Sequence, residues 1–189
     1  KIGGSTTNEK NSFSNCGIGV LASEYSHALL QNNTISKTAG IGSYSGSNYQ
    51  GRFGIKLVNS GNVIYTCNQN AISNIHYGIW YAQNEAANII CDFNSNSIGT
   101  NDSRETCNAG IYLIGRGNYD AKTVDIAVEG NNLYDVWNGI QVLNFKNSSS
   151  IHIRNNPSIV LRKADFAHYG ILVTDCRNVM ISDNTDIHS

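Results

Sequence analysis

The stretch Phe53–Ser73, FGIKLVNSGNVIYTCNQNAIS, decides the reading of this chain. It holds three short strand-like pieces: Ile55-Lys56-Leu57, Val63 to Cys67, and Ile72 two residues after Asn70. Between them lie Asn59-Ser60-Gly61-Asn62 and Asn68-Gln69-Asn70, which are turn chemistry, because Gly and Asn tolerate a left-handed backbone and Asn bonds to nearby main chain. No helical period runs through the stretch.

The same pattern recurs along the sequence. A Gly-Ile pair stands at Gly17-Ile18, Gly54-Ile55, Gly78-Ile79, Gly110-Ile111, Gly139-Ile140 and Gly170-Ile171, each followed two residues after its Ile by Val20, Leu57, Tyr81, Leu113, Val142 or Val173. Each unit then reaches an Asn: Asn33, Asn70, Asn96, Asn131, Asn156, Asn184. Three before the Asn come Leu30, Cys67, Phe93, Val128, Ile153 and Ile181; five before come Ala28, Tyr65, Cys91, Ile126, Ile151 and Val179. Two or three after it come Ile35, Ile72, Ile98, Leu133, Ile159 and Ile187.

Core columns spaced by two are the signature of strands, whose side chains alternate between faces. One unit cannot bury its apolar side alone, whereas stacked units bury it continuously. Corresponding strands pair in parallel, about 4.7–4.9 Å apart, so six units make a rod roughly 25–30 Å long. The Asn column suits turns whose amides bond along the rod.

With the Gly-Ile strand, the strand-to-Asn pattern and a repeat near 24 residues, residues 15–187 resemble the right-handed parallel β-helix repeats of the pectin-lyase-like superfamily. The resemblance implies an all-β fold, a single right-handed parallel β-helix of about six to seven coils, with loop insertions mainly at one corner. That superfamily holds polysaccharide lyases and hydrolases, phage tailspikes, adhesins and surface proteins without known activity, so the fold does not choose the function.

The chain has 189 residues, 40% of them apolar, enough for one domain with a core. A formal net charge of −1 leaves no electrostatic footprint for nucleic acid. Only 14% of residues are charged, while 27 are asparagine, as suits a secreted or cell-surface β-rich solenoid. No apolar run reaches the roughly 20 residues needed to span a bilayer, and the first residues do not read as a signal peptide. The domain reading is a leading segment or partial coil over 1–14, with Ile2 as its last core residue, followed by the β-helix over 15–189. Polar caps are not evident at either end, so the chain reads as a piece of a longer protein with further domains as partners, or as a mature product with its ends removed. The second strand of the first coil, within SEYSHALLQNNTIS, has a composition that also suits a short helix.

Insertions at Lys37–Arg52, Gly99–Asn108 and Val160–His168 fall at one corner, where the uninterrupted versions are SNIHYG at 73–78 and YDVWNG at 134–139. A further insertion, Gly115–Thr123, falls at another corner. Such an edge is a place for binding or for neutral loop drift. The five cysteines (Cys16, Cys67, Cys91, Cys107, Cys176) show no Cys-x-x-Cys, and with the histidines they form no metal-ligand spacing, so no metal and no cofactor is expected. Cys67 and Cys91 fall on adjacent coils but in different columns, about 8 Å apart at Cα, too far for an unstrained disulfide.

Glycoside hydrolysis asks for carboxylates within about 5–10 Å of each other. The outward columns two and five after Gly contain only Asp175 among the acids, and Glu129 and Arg154 should stack as an exposed ion pair. Asn184-Thr185-Asp186 resembles a fragment of the polygalacturonase Asn-Thr-Asp motif, but its companion Asp-Asp and Gly-His-Gly elements are missing, as are the Ca²⁺-binding Asp clusters of pectate lyases. What stands out is a stripe of Lys56, Trp80, Tyr112 and Gln141 on successive coils, with Tyr44, Tyr49 and Arg52 beside it. Trp and Tyr offer broad apolar faces with a polar handle, which suits stacking on sugar rings; the alternative is that a loop or neighbouring domain covers the stripe.

These residues favour a non-catalytic segment of a larger secreted or cell-surface bacterial protein, a rigid spacer, adhesin or glycan-binding module whose partner is a polysaccharide. One alternative is a polysaccharide lyase or glycoside hydrolase working through the insertion acids Asp102, Glu105, Asp120 and Asp165. A further one is a tailspike-like trimer using Leu21, Val58, Ile114 and Leu143.

Overall fold

In the computed structural model, the described residues are 2–3, 10–23, 27–36, 52–59, 61–85, 87–100, 107–116, 123–146, 149–162 and 168–189. Among them there is no helix; every strand pairing is parallel. Strands, numbered in chain order, fall into three stacks. The first holds β2 (Ile18–Ser23), β5 (Phe53–Asn59), β8 (Tyr77–Gln83), β11 (Cys107–Ile114), β13 (Asn132–Leu143) and β16 (Ile171–Thr174). The second holds β3 (His27–Gln31), β6 (Val63–Asn68), β9 (Asn88–Asn94), β12 (Thr123–Glu129), β14 (Ser149–Arg154) and β17 (Val179–Ser182). The third holds β1 (Ser12–Ser14), β4 (Thr34–Ser36), β7 (Ala71–Ser73), β10 (Ser97–Gly99), the first residues of β13, then β15 (Ser158–Leu161) and β18 (Ile187–His188). The 134–139 corner passes without a break in β13, which joins the first and third stacks into one nearly closed 12-stranded sheet. This arrangement is compatible with a parallel β-helix.

The core is the set of inward columns. Ile55, Ile79, Ile111 and Ile140, then Leu57, Tyr81, Leu113 and Val142, are fully buried, as are Cys67, Phe93, Val128 and Ile153 on the second stack. Units stack residue for residue on the second stack, for example Tyr65 with Cys91 and Cys67 with Phe93. All five cysteines are free, and burial raises the thiol pKa of Cys67, Cys91 and Cys107, the last to about 12.

The asparagine column is a continuous hydrogen-bonded ladder. The backbone N–H and Nδ2 of Asn70 both donate to Asn96 Oδ1 at 3.0 Å, and Asn70 Nδ2 also donates to Leu30 O at 3.0 Å. Asn96 repeats this with Asn131 Oδ1 and Cys67 O, Asn131 with Asn156 Oδ1 and Phe93 O, and Asn156 with Asn184 Oδ1 and Val128 O. Asn11 also belongs to the column, donating from Nδ2 to Asn33 Oδ1 at 3.2 Å. The left-handed residue at this corner is not the ladder Asn but the one before it: Asn32, Gln69, Ser95, Gly130, Asn155 and Asp183 all have φ between 53° and 64°.

The glycines before the inward Ile are fixed by close approach. A Cβ on Gly78 would lie 2.2 Å from Ile98 Cγ2 and 2.4 Å from Gly110 O. Gly54 meets Ile72 Cγ2 at 2.5 Å and Gly78 O at 2.6 Å. The same test corrects the first unit. Gly19, not Gly17, makes these contacts, and Val20 pairs with Ile55. The expected Gly17-Ile18 match is therefore displaced by two residues, and Ile18 is left exposed beside Phe53. The SEYSHALLQNNTIS stretch contributes β3 and β4, because its apolar residues Leu30 and Ile35 fill inward positions of strand stacks. In the leading segment Phe13 pairs with Ile35 as the third-stack residue, whereas Ile2 bridges to Leu30 on the second stack.

Candidate functional site

The expected stripe is assembled by the first stack. Lys56 pairs with Trp80, Trp80 with Tyr112, and Tyr112 with Gln141. All four side chains are half-buried on the outer face. The register correction places Leu21, 51% exposed, ahead of Lys56 where the sequence reading had Gly19.

The structure adds a second column that the sequence reading missed. Phe53 and Tyr77 pair with each other and stack at 5.5 Å between ring centroids, 17° between planes. Phe53 also meets Trp80 at 5.4 Å, and Tyr77 meets Tyr112 edge-on at 5.6 Å. These pairings are each worth about 0.5–1.5 kcal/mol beyond their area. The cause of their outward placement lies at the glycine. Gly54 and Ile55 are buried in succession, as are Gly78 and Ile79, so strict alternation breaks there and Phe53 and Tyr77 face out as Lys56 and Trp80 do. The signal was present as an aromatic directly before Gly.

Polar groups sit around the rings. Lys56 Nζ lies 4.8 Å from the Phe53 centroid and 5.0 Å from that of Trp80. Asn108 Nδ2 donates to Tyr77 Oη at 3.0 Å, and His76 packs edge-on against Tyr77 at 4.8 Å. Burial, and secondarily Tyr77, raises the pKa of Tyr112. Further along the same face, Trp137 stacks on His168 at 5.5 Å. Arg52 borders the group, its carbonyl accepting from the Tyr77 N–H at 3.0 Å. Tyr44 and Tyr49 lie outside the described residues, as do Asp102, Glu105, Asp120 and Asp165.

In the column five after Gly, Asp175 is exposed as expected, whereas Asn59 and Gln83 turn inward. Asn59 is fully buried and Gln83 nearly so; Asn59 Oδ1 accepts from the Asn84 N–H at 2.8 Å, and Asn59 Nδ2 donates to Gly61 O and Glu85 O. These amides build a second polar corner. Asn184-Thr185-Asp186 is likewise structural: Asn184 ends the ladder and Thr185 Oγ1 donates to Pro157 O at 3.1 Å.

Acids do gather on the outer face of the second stack. Asp92 pairs with Ala127, which Asp125 and Glu129 flank. Burial raises the Asp92 pKa, with Asp125 and Glu129 adding to it. Glu129 accepts from Arg154 Nε at 2.7 Å, the expected ion pair. Asp92 stands four before Asn96, in a column whose other members are not acids. Among the described residues no group of His, Cys, Asp and Glu is placed to hold a metal, and no helix is long and apolar enough to cross a membrane.

Chemically, the first-stack face offers apolar ring faces, one ammonium and several amides, with no carboxylate in its two columns. Comparison with protein-family models, curated proteins and solved structures finds no match to this chain.

Proposed function

We propose that the chain is a right-handed parallel β-helix of about six to seven coils, related to the pectin-lyase-like proteins, and serves a larger secreted or cell-surface protein as a non-catalytic, rigid glycan-binding module. The observation that carries this reading is the contiguous group Phe53, Lys56, Tyr77, Trp80 and Tyr112, rings in mutual contact on a rigid sheet face. Rigid aromatics bind sugars with little ordering cost, and the polar atoms of Lys56, Asn108 and Gln141 lie within the same face to bond hydroxyls. The stack of paired strands supplies the stiffness a spacer or adhesin stalk needs.

The test is a glycan array and a depolymerisation screen on the purified chain and on Trp80→Ala. The reading expects binding without cleavage, reduced at least about tenfold in the variant, which equals 1.4 kcal/mol of lost contact. Absence of glycan binding by the parent would contradict it. A polysaccharide-cleaving enzyme is the second reading, favoured by the grouping of Asp92, Asp125 and Glu129. Cleavage by the parent, abolished in Asp92→Asn, would put that reading in its place.

A further inference from the structure

Away from the first and last units, the exposed large apolar side chains among the described residues are Ile64 and Ile90, 38% and 42% exposed. They pair in register on β6 and β9, on the outer face of the second stack. Followed from β3 to β12, their column reads His27, Ile64, Ile90 and Asp125, all four exposed. This column is self-complementary. An imidazole stands at one end, a carboxylate at the other, and two isoleucines lie between.

The neighbouring columns obey the same rule. One reads Leu29, Thr66, Asp92 and Ala127; the other reads Gln31, Asn68, Asn94 and Glu129. Laid against its own reverse, the first sets apolar on apolar and hydroxyl on carboxylate. The second sets amide on carboxylate and amide on amide. Within these four strands the acids all lie on β9 and β12, and the side chains placed to donate to them lie on β3 and β6. Arg154 takes Glu129, but no cation pairs with Asp92 or Asp125 among the described residues.

The pattern fits a second copy of the chain. Two sheet faces pack about 10 Å apart with their strands aligned. A two-fold axis in the interface, along the strand direction and between β6 and β9, keeps each column opposite itself and reverses the order of units. Ile64 then meets the partner's Ile90, His27 the partner's Asp125, Thr66 the partner's Asp92 and Gln31 the partner's Glu129. A two-fold along the stacking direction would instead keep the order of units and exchange the outer columns. It would set Asp92 on the partner's Asp92 and Asp125 on the partner's Glu129, which like-charge repulsion opposes. The charges therefore select one orientation.

We propose that the outer face of β3, β6, β9 and β12 is a homodimer interface in which two copies pack with their units in opposite order. Three columns of four make twelve positions a side. A standard interface takes about 20–30, so the dimer is a weak, concentration-dependent one. The aromatic group lies on the first stack, so this inference does not rest on glycan binding.

The experiment is sedimentation equilibrium over a range of concentrations on the parent chain, Ile64→Lys, His27→Asp, and the exchange His27→Asp with Asp125→His. All three positions point to solvent, and circular dichroism checks that each variant is folded. The parent should show a monomer–dimer equilibrium, and Ile64→Lys should abolish the dimer. His27→Asp sets a carboxylate against the partner's Asp125 twice per dimer and should weaken association at least about tenfold. The exchange keeps the composition, restores opposite partners and should recover the parent's affinity. A parent that stays monomeric at every concentration refutes the interface, as does a dimer that Ile64→Lys leaves intact. A dimer that His27→Asp leaves unweakened, or whose weakening the exchange does not reverse, refutes the pairing of residue 27 with the partner's residue 125, and with it the proposed packing.

Discussion

The asparagine corner and the outward aromatic face are built from strands of the same repeat units, yet they obey different rules. At the corner each unit supplies the same side chain, from Asn33 to Asn184, because each amide must accept from the Asn of the unit before it and donate to a main-chain carbonyl of that unit. On the outer face the paired positions read Leu21, Lys56, Trp80, Tyr112, Gln141 and Leu172, five residue types over six units. The repeat is therefore strict where buried polar atoms must be matched and free where side chains meet solvent. A position that departs from uniformity on the free face is available for function, and the clustering of rings there is what gives the face its chemistry.

Substitutions sharpen this contrast. Asn96→Leu should have the largest effect. It removes the acceptor of the Asn70 N–H and Nδ2 and the donor to Cys67 O. Unsatisfied buried groups cost about 1–3 kcal/mol each, so the loss should be about 3 kcal/mol or more. Denaturant unfolding would measure it, and Asn184→Leu, at a half-buried rung, should lose less. Gly78→Ala follows, at about 1–3 kcal/mol, since the new methyl would press on Gly110 O and Ile98. Tyr81→Phe should leave stability unchanged or raise it by up to about 1 kcal/mol, because the Tyr81 hydroxyl is buried with no hydrogen-bond partner among the described residues. Its neighbour is different: Tyr65 Oη donates to Val58 O at 2.9 Å, and its pKa is raised to about 12 by burial, with Cys91 and Cys67 adding. Trp80→Ala removes the contact with Phe53 and should cost about 1–2 kcal/mol without unfolding the chain, while glycan binding falls as described above. A variant that unfolds instead would show that the ring is part of the fold.

The inward columns were legible because they are periodic, and the Asn column because a polar residue recurring among apolar ones has to be explained. The ion pair of Glu129 and Arg154 was legible for the same reason, once both residues fell in one column. The first unit misled because Gly17-Ile18 and Gly19-Val20 both satisfy the Gly-Ile pattern in outline, and only the contact between Gly19 and Ile35 chooses between them. Phe53 and Tyr77 were missed because the two consecutive buried residues at Gly-Ile reverse the alternation on which the outward columns were counted. Asn59 and Gln83 were assigned outward by the same counting, yet their amides turn in to bond the corner backbone. Asp92 shows the limit of scanning one column: its neighbours Asp125 and Glu129 lie diagonally, two residues to either side of its partner Ala127.

The most direct test of the account is a cross-link between successive units at outward positions of the second stack. Ile64 and Ile90 are both exposed and pair in register on β6 and β9. Paired Cα atoms about 5 Å apart fall in the range a disulfide spans, whereas a register shift of two residues does not. In a Cys16→Ser background, Ile64→Cys with Ile90→Cys should oxidise to an intramolecular disulfide found by mass spectrometry, and Ile64→Cys with Asp92→Cys should not. Equal cross-linking in both variants, or none in the first, would contradict the parallel, in-register stacking on which the ladder and the aromatic face depend.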